Sequence, residues 1–287
     1  MELPQSRTKA PRRGAYLLPS LFTVANIFCG YFSVTEAYKA GLLVSGDLPA
    51  AAAHFDAAAK AIGFAVLFDG MDGRIARLMG TTSAFGMELD SMADTITFGI
   101  APAFLAFSWG VQAVLSPPET SLLGHLAAAG WLVSFLFVIS SACRLARFNI
   151  QSAPAPSTTY KRTDHKNFIG LPTPAAAGLV ASIVHFNYGN PVVGWLWVPF
   201  WLLVIMGTSL LMVSTWRYSS FKDLDFRRKQ KFVMVIAVAG VGALIWFFSH
   251  VVLLLIAVSY LLSGIVTKLA QVFRRSRMEP HPEERKV

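Results

Sequence analysis

The sequence contains only two cysteines, Cys29 and Cys143. Both lie in apolar stretches that are long enough to cross a bilayer, so we predict no disulfide framework. Charged residues are also scarce, at 14% of the 287 residues, whereas 54% are hydrophobic and the mean hydropathy is +0.52. The chain is too apolar for an ordinary soluble domain, and its long apolar runs predict a membrane protein.

Apolar runs of roughly 20 residues recur along the chain, which is the length that crosses the hydrocarbon core of a bilayer. We predict an all-α, polytopic bundle of about eight transmembrane helices. They are placed at residues 15–38, 57–79, 86–109, 122–149, 172–188, 192–214, 231–248 and 250–272. Only Ser249 and His250 separate the last two. The chain then divides into a basic N-terminal segment at 1–14, a membrane domain at 15–272 and a basic tail at 273–287.

Acidic residues are outnumbered by basic ones, 16 to 25, which gives a net charge of +9. In a soluble protein this excess would suggest nucleic acid, but here its placement indicates topology. Basic residues precede the first span, follow the fourth, separate the sixth from the seventh and follow the eighth. These segments share one side of the membrane if the spans alternate, and the positive-inside rule makes that side cytoplasmic. We therefore predict cytoplasmic termini, attraction to anionic membrane lipids and no nucleic-acid partner.

Two pairs of aspartates interrupt the apolar stretches: Asp69 with Asp72, and Asp90 with Asp94. Each costs roughly 2.5–3.5 kcal/mol at the centre of an inserting helix. Together they cost about 10 kcal/mol, comparable to the stability of a whole domain. At ~100° per residue each pair occupies one face of its helix, and the short connection makes the two helices antiparallel neighbours. The spacing therefore predicts that the four carboxylates meet in one pocket.

Such a pocket must either protonate or hold cations, because like charges ~4 Å apart repel by about 4 kcal/mol at an effective dielectric near 20. An all-oxygen ligand set favours Mg²⁺ or Mn²⁺, with Ca²⁺ as an alternative. Four carboxylates could hold two such ions, and a two-ion centre stabilises the attacking and leaving oxygens of phosphoryl transfer. Gly73, Ala76 and Gly86 lie on the same faces. These small residues either leave space for a ligand or permit close helix packing.

From Asp69 to Asp94 the sequence reads D-x-x-D-G-x-x-A-R-x8-G-x3-D-x3-D. This resembles the signature of the CDP-alcohol phosphotransferase family, and every signature position is matched. The resemblance implies transfer of a phosphoryl-linked group from a CDP-linked donor to an alcohol, with release of CMP. It also implies that Asp69, Asp72 and Asp90 are metal ligands and that Asp94 is both a ligand and the general base. Residues lining the CDP site would be Gly73, Ala76, Arg77 and Gly86.

Three more segments are similar to the membrane-embedded phosphatidylserine synthases of this family. They read LLPSLFTVANIFCGYFSV in the first span, SACRLARFN at the end of the fourth and FIGLPTPAAAG at the start of the fifth. The similarity implies CDP-diacylglycerol and L-serine as substrates. Because relatives are commonly dimers, it also implies a homodimer.

Further polar residues in the spans are candidates for substrate contacts. Arg144 and Arg147, near the end of the fourth span, are suited to the donor phosphate or the serine carboxylate, since a guanidinium fits either anion. Alternatively, they anchor the span on its positive side. Thr23 and Asn26 in the first span are candidates for contact with the nucleotide or phosphate, and ordinary hydrogen bonding between helices is the alternative.

The spacing does not identify the acceptor alcohol, and glycerol phosphate, an inositol compound or choline would use the same chemistry. Outside the family, the aspartates could form the transit site of a divalent-cation transporter. Their depth argues against this second reading. Asp69 lies ~12 Å from Arg77, which marks the cytoplasmic end of its span. The cluster is therefore expected near the cytoplasmic head groups, in an active site that faces the cytoplasm, whereas translocation sites lie near the midplane.

Overall fold

The computed structural model describes residues 17–79, 83–114, 122–152, 167–191, 194–219 and 231–278. Within these ranges the chain is almost entirely helical. The α-helices are α1 (Leu17–Leu43), α2 (Leu48–Met79), α3 (Ala84–Asp94), α4 (Ala101–Phe107), α5 (Leu122–Ser152), α6 (Thr173–Phe186), α7 (Trp197–Val213) and α8 (Lys231–Met278). A small antiparallel ribbon joins strand β1 (Asn167–Ile169) to strand β2 (Arg217–Ser219), with Phe168 opposite Tyr218.

Four helical stretches are long and apolar enough to cross a membrane: Leu48–Ile75, Phe85–Gln112, Leu122–Gln151 and Ala239–Lys268. α6 and α7 are also apolar but shorter, with 14 and 17 residues. The prediction of a helical membrane protein is therefore confirmed. The count of eight spans and the cytoplasmic position of both termini stay predictions.

The last two predicted spans belong to one helical element, α8, which has 48 residues. A straight helix of that length would measure about 72 Å, more than twice the thickness of a bilayer core. The helix is interrupted at Phe248, whose φ of −133° and ψ of 40° are not helical. The interruption lies directly beside Ser249 and His250, the residues that separate the two predicted spans.

Two π-helical turns interrupt the third apolar stretch, at Thr95–Ile100 and Ser108–Gln112. The first of these turns is explained by Pro102, which follows it in α4. Proline has no N–H, so it cannot donate the α-helical hydrogen bond to the carbonyl of Phe98, four residues before it. The N–H of Ala101 instead bonds to the carbonyl of Ile96, five residues back. This wider turn begins immediately after Asp94, so it affects the direction of α4 relative to the aspartates.

α1 packs closely against this π-helical turn. A Cβ on Gly30 would lie 2.6 Å from Oγ1 of Thr97, so a larger residue at position 30 would force the helices apart. The Thr97 hydroxyl donates a 3.0 Å hydrogen bond to the carbonyl of Asn26. The close approach allowed by Gly30 therefore brings the preceding turns of α1, with Thr23 and Asn26, beside the aspartates of α2 and α3.

At the opposite end of the bundle, the turn after α6 is pressed against α2. Gly189 has a φ of +72°, and a Cβ there would lie 2.0 Å from the carbonyl oxygen of Ala52. Only glycine satisfies both the positive φ and the close approach. The indole of Trp109 donates a 3.0 Å hydrogen bond to the Gly189 carbonyl and packs edge-on against Trp201, with ring centroids 5.1 Å apart. These contacts fix the C-terminal end of α6 in the buried core.

Candidate active site

The predicted aspartates lie close together in the structure. One carboxylate oxygen from each of Asp69, Asp90 and Asp94 lies within 4.8 Å of the other two. The first belongs to α2 and the other two to α3, so the cluster joins these helices. Asp72, one turn beyond Asp69, is close enough to repel both Asp69 and Asp90 electrostatically. The prediction that the aspartates of α2 and α3 lie close together is therefore confirmed, and their role as metal ligands stays a prediction.

α1 forms a further wall of the site and binds two of the carboxylates. The hydroxyl of Thr23 donates a hydrogen bond to Oδ2 of Asp72, and both residues are buried. The amide of Asn26 donates a longer, 3.4 Å bond to Oδ1 of Asp94. Thr23 and Asn26 thus form hydrogen bonds between helices, one of the two roles considered for them. Contact with a nucleotide or phosphate stays a prediction.

The cluster has the properties of a divalent-metal site. Within the described part of the chain, Oδ1 of Asp90 and Oδ1 of Asn26 are buried without a hydrogen-bond partner. Adjacent buried carboxylates are costly unless a cation neutralises them. The donor set consists of oxygen atoms, which suits Mg²⁺ or Mn²⁺ better than softer metals. The residues present therefore fit a divalent ion.

The residues predicted to line the CDP site are only partly described. Gly73 lies in α2 beside Asp72 and is half-buried, whereas the side chains of Ala76 and Arg77 lie outside the described residues. Gly86 has a local structural role, because its N–H donates a 3.0 Å hydrogen bond to Oγ of Ser83, the N-cap of α3. Nucleotide binding by these positions stays a prediction.

Arg144 of α5 is buried beside the aspartates. Its Nη1 donates a 3.2 Å hydrogen bond to Oγ1 of Thr173, at the start of α6. Its Nε is buried and has no partner in the described part of the chain. The guanidinium interacts electrostatically with Asp94 and with Tyr260 of α8. A buried cation with an unused donor next to the cluster is suited to bind an anion.

Arg147, one turn further along α5, has a different environment. Its two terminal nitrogens donate hydrogen bonds of 3.0 and 3.4 Å to the carbonyls of Val213 and Ser214. These carbonyls are at the C-terminal end of α7, where an arginine commonly caps a helix. The structure therefore gives Arg147 a role in joining α5 to α7, and its part in anion binding stays a prediction.

Two residues near Arg144 were not identified from the sequence. Thr173 lies within the FIGLPTPAAAG segment, so its position in a family-like motif was an available signal. Tyr260 is a single tyrosine within an apolar helix, and nothing in its sequence context indicates that it approaches α5. Both are defined by contacts between helices that are distant in the chain.

Comparisons with known proteins agree with this geometry. The family model described as CDP-alcohol phosphatidyltransferase matches residues 16–273, which include all eight α-helices except the end of α8. A CDP-diacylglycerol–serine O-phosphatidyltransferase of Helicobacter pylori is 36% identical over 233 residues, covering 79% of this chain and 81% of the relative.

Proteins with the same name from Mycobacterium tuberculosis and Bacillus subtilis are 33% and 30% identical. Each alignment covers 71% of this chain, and they cover 62% and 91% of the respective relatives. The resemblance seen in the sequence is therefore confirmed, and the chain belongs to the CDP-alcohol phosphatidyltransferase family.

Proposed function

We propose that this protein transfers the phosphatidyl group from CDP-diacylglycerol to the hydroxyl of L-serine, giving phosphatidylserine and CMP. The observation that carries this proposal is the single site formed by the aspartates of α2 and α3 beside the buried Arg144. Relatives that are 30–36% identical over most of the chain are named for this activity, and they support the choice of serine as acceptor.

We assign the metal ligands to Asp69, Asp72, Asp90 and Asp94. The ions expected are two Mg²⁺ or Mn²⁺, with Ca²⁺ as an alternative. When bound, they would neutralise the diphosphate and stabilise charge on the attacking and leaving oxygens. Thr23 holds Asp72 in position through its hydrogen bond, so α1 contributes to the shape of the site.

In the proposed reaction, Asp94 accepts the proton of the serine hydroxyl as that oxygen attacks the phosphorus nearest diacylglycerol. A new bond forms between the serine oxygen and this phosphorus, and the bond from phosphorus to the CMP oxygen breaks. An ionised aspartate is a weak base, so its placement must provide much of the rate enhancement. Asn26 supports that placement by donating to Oδ1 of Asp94.

The other predicted residues complete the substrate site. We propose that Gly73, Ala76, Arg77 and Gly86 line the cytidine diphosphate, as the family signature implies. Arg144 would bind an anionic group, either the donor phosphate or the serine carboxylate. Its partner Thr173 fixes the guanidinium from α6, and Nε remains available to the ligand.

We further propose that the membrane domain at 15–272 crosses the bilayer about eight times, with the segments at 1–14 and 273–287 in the cytoplasm. The active site would then open toward the cytoplasm, where serine arrives and CMP departs. The acyl chains of CDP-diacylglycerol would stay in lipid. A homodimer is expected, as in relatives.

The acceptor assay tests the proposal. Protein in lipid nanodiscs is supplied with CDP-diacylglycerol, Mg²⁺ or Mn²⁺, and one alcohol at a time: serine, glycerol phosphate, inositol, inositol phosphate or choline. We expect serine to give the fastest release of CMP and a chelator to abolish it. Turnover of another alcohol together with failure of serine would reject the acceptor. Metal-dependent ion flux in liposomes without CMP release would favour the transporter.

Thr23→Val is expected to reduce CMP release by roughly 10- to 100-fold, because a hydrogen bond to a charged group is worth about 1.5–3 kcal/mol. Valine has nearly the same shape, so the loss isolates the bond to Asp72. The variant should also require more Mg²⁺ for half-maximal rate. Thr35→Val is the matched control, since that hydroxyl of α1 is bonded to the carbonyl of Phe32 away from the site. Equal rates for the two variants would contradict a role for Thr23.

A further inference from the structure

A second cluster of ionisable side chains lies at the opposite end of the bundle. Asp56 of α2, His185 of α6 and His250 of α8 each place one possible metal-ligand atom within 4.8 Å of the other two. Asp56 is ~20 Å along α2 from Asp69, at 1.5 Å per residue. This second cluster is therefore separate from the candidate active site and takes no part in the proposed reaction.

The hydrogen bonds of the two imidazoles orient their ring nitrogens. His185 has Nδ1 2.5 Å from Oδ1 of Asp56 and Nε2 2.9 Å from Oγ of Ser249. Nδ1 of His250 lies 2.7 Å from the backbone carbonyl of His185 and therefore donates to it, which leaves Nε2 as the basic nitrogen. Histidines that bind metals usually have one nitrogen held by such an outer partner, and this fixes the tautomer of the other.

The charge balance also permits a cation. Lys60 forms a 2.7 Å salt bridge with Oδ2 of Asp56, whereas the oxygen facing His185 is Oδ1. The Lys60 side chain is 53% exposed, so this surface bridge contributes at most about 1 kcal/mol. His185 is 5% exposed, and the attraction between Asp56 and a cation beside it would be only weakly screened.

The second cluster also lies beside the interruption in α8. The helix is interrupted at Phe248, and residues 239–248 before the break are mostly exposed. Immediately after it, the ring of His250 stacks on His185 at a centroid distance of 4.0 Å and lies 3.9 Å from the ring of Tyr188. A metal ion here would connect three helices, α2, α6 and α8, at one point.

We propose that Asp56, His185 and His250 form a second divalent-metal site, which fastens the interrupted helix α8 to α2 and α6. Two imidazoles and one carboxylate suit Zn²⁺ better than Mg²⁺. The ion takes the place of the proton between His185 and Asp56, and that proton moves to Nε2 of His185, which then donates a hydrogen bond to the Ser249 hydroxyl. His250 turns its Nε2 toward the ion, and a water molecule supplies the fourth ligand, while Ser249 remains the outer partner of His185 at Nε2.

Co²⁺ distinguishes this site from the aspartate cluster, because tetrahedral Co²⁺ with nitrogen ligands absorbs visible light far more strongly than six-coordinate Co²⁺ with oxygen ligands. The protein is purified through a tag without histidine and carries Asp69→Asn to weaken the first site. We expect strong visible bands that saturate at one Co²⁺ per chain and disappear when Zn²⁺ is added. Zn²⁺ should also raise the Tm of this protein.

His250→Ala in the same background should lose the bands and the Zn²⁺-dependent rise in Tm, and His125→Ala, at an exposed histidine of α5, should keep both. Asp56→Asn leaves His185 a hydrogen-bond acceptor but removes the charged ligand, so it also should lose the bands if His250→Ala does not fold. Absence of the bands before any histidine is changed, or their persistence in either site variant, would overturn the proposal. CMP release by the unmodified protein is measured separately, so failure here does not bear on the proposed function.

Discussion

Asp94→Asn is expected to lower CMP release by at least about 10³-fold while the protein remains folded. A positioned general base contributes 10²- to 10⁴-fold, and the substitution also removes one charged metal ligand. Asparagine has the same size and keeps an oxygen that can accept the hydrogen bond from Asn26. The loss should therefore appear in turnover at saturating substrate and not in the Tm.

A metal titration separates the two roles assigned to Asp94. Asp69→Asn removes a ligand only, so high Mn²⁺ should restore part of its activity, whereas Asp94→Asn should remain inactive at every concentration. Glu88→Gln is the matched control, because Glu88 is an exposed acid on α3, the helix that carries Asp94. Near-normal CMP release from Asp94→Asn would reject its role as base. Recovery of that variant by metal would assign it as a ligand alone.

The aspartate cluster was predictable because it depends on local geometry. Residues three and four apart lie on one face of any α-helix, so Asp69 with Asp72, and Asp90 with Asp94, are aligned whatever surrounds them. A short connection then brings two such faces together. The position of α1 beside the aspartates was harder to predict, since its close contact at Gly30 depends on Thr97 in a different helical segment. A glycine in an apolar helix does not reveal its neighbour.

The two arginines of α5 show where sequence reasoning stops. Arg144 and Arg147 are the same residue type one turn apart, and the sequence supported the same roles for both. The structure separates them because α7 ends beside Arg147, whereas Thr173 and Asp94 lie beside Arg144. These neighbours are set by packing between distant helices.

The second cluster could not be predicted from the sequence, for the same reason. Asp56, His185 and His250 come from three helices, and no regular spacing connects them. By contrast, the interruption of α8 left a local signal. Ser249 and His250 are two polar residues within a long apolar run, and the non-helical residue Phe248 directly precedes them. The sequence located this break but did not show that one helical element continues across it.

Arg144→Gln is expected to lower kcat/KM by about 100-fold, equivalent to about 2.7 kcal/mol. The reason is that removal of the buried guanidinium leaves the anionic group of the substrate without its charged partner. Initial rates with each substrate varied in turn identify the anion. A rise confined to the KM for serine assigns the carboxylate, and a rise confined to the KM for CDP-diacylglycerol assigns the phosphate.

Arg147→Gln is the control for this experiment, because it removes the same charge one turn away. Its contacts are the carbonyls at the end of α7, so we expect a lower Tm and a change in kcat/KM below about 5-fold. Arg144→Lys adds a second comparison: a lysine keeps the charge but not the planar fork. If Lys restores activity, charge at this position is sufficient; if it does not, the fork geometry held by Thr173 is required. Equal kinetic losses in Arg144→Gln and Arg147→Gln, accompanied by equal losses of Tm, would show that both arginines only support the fold.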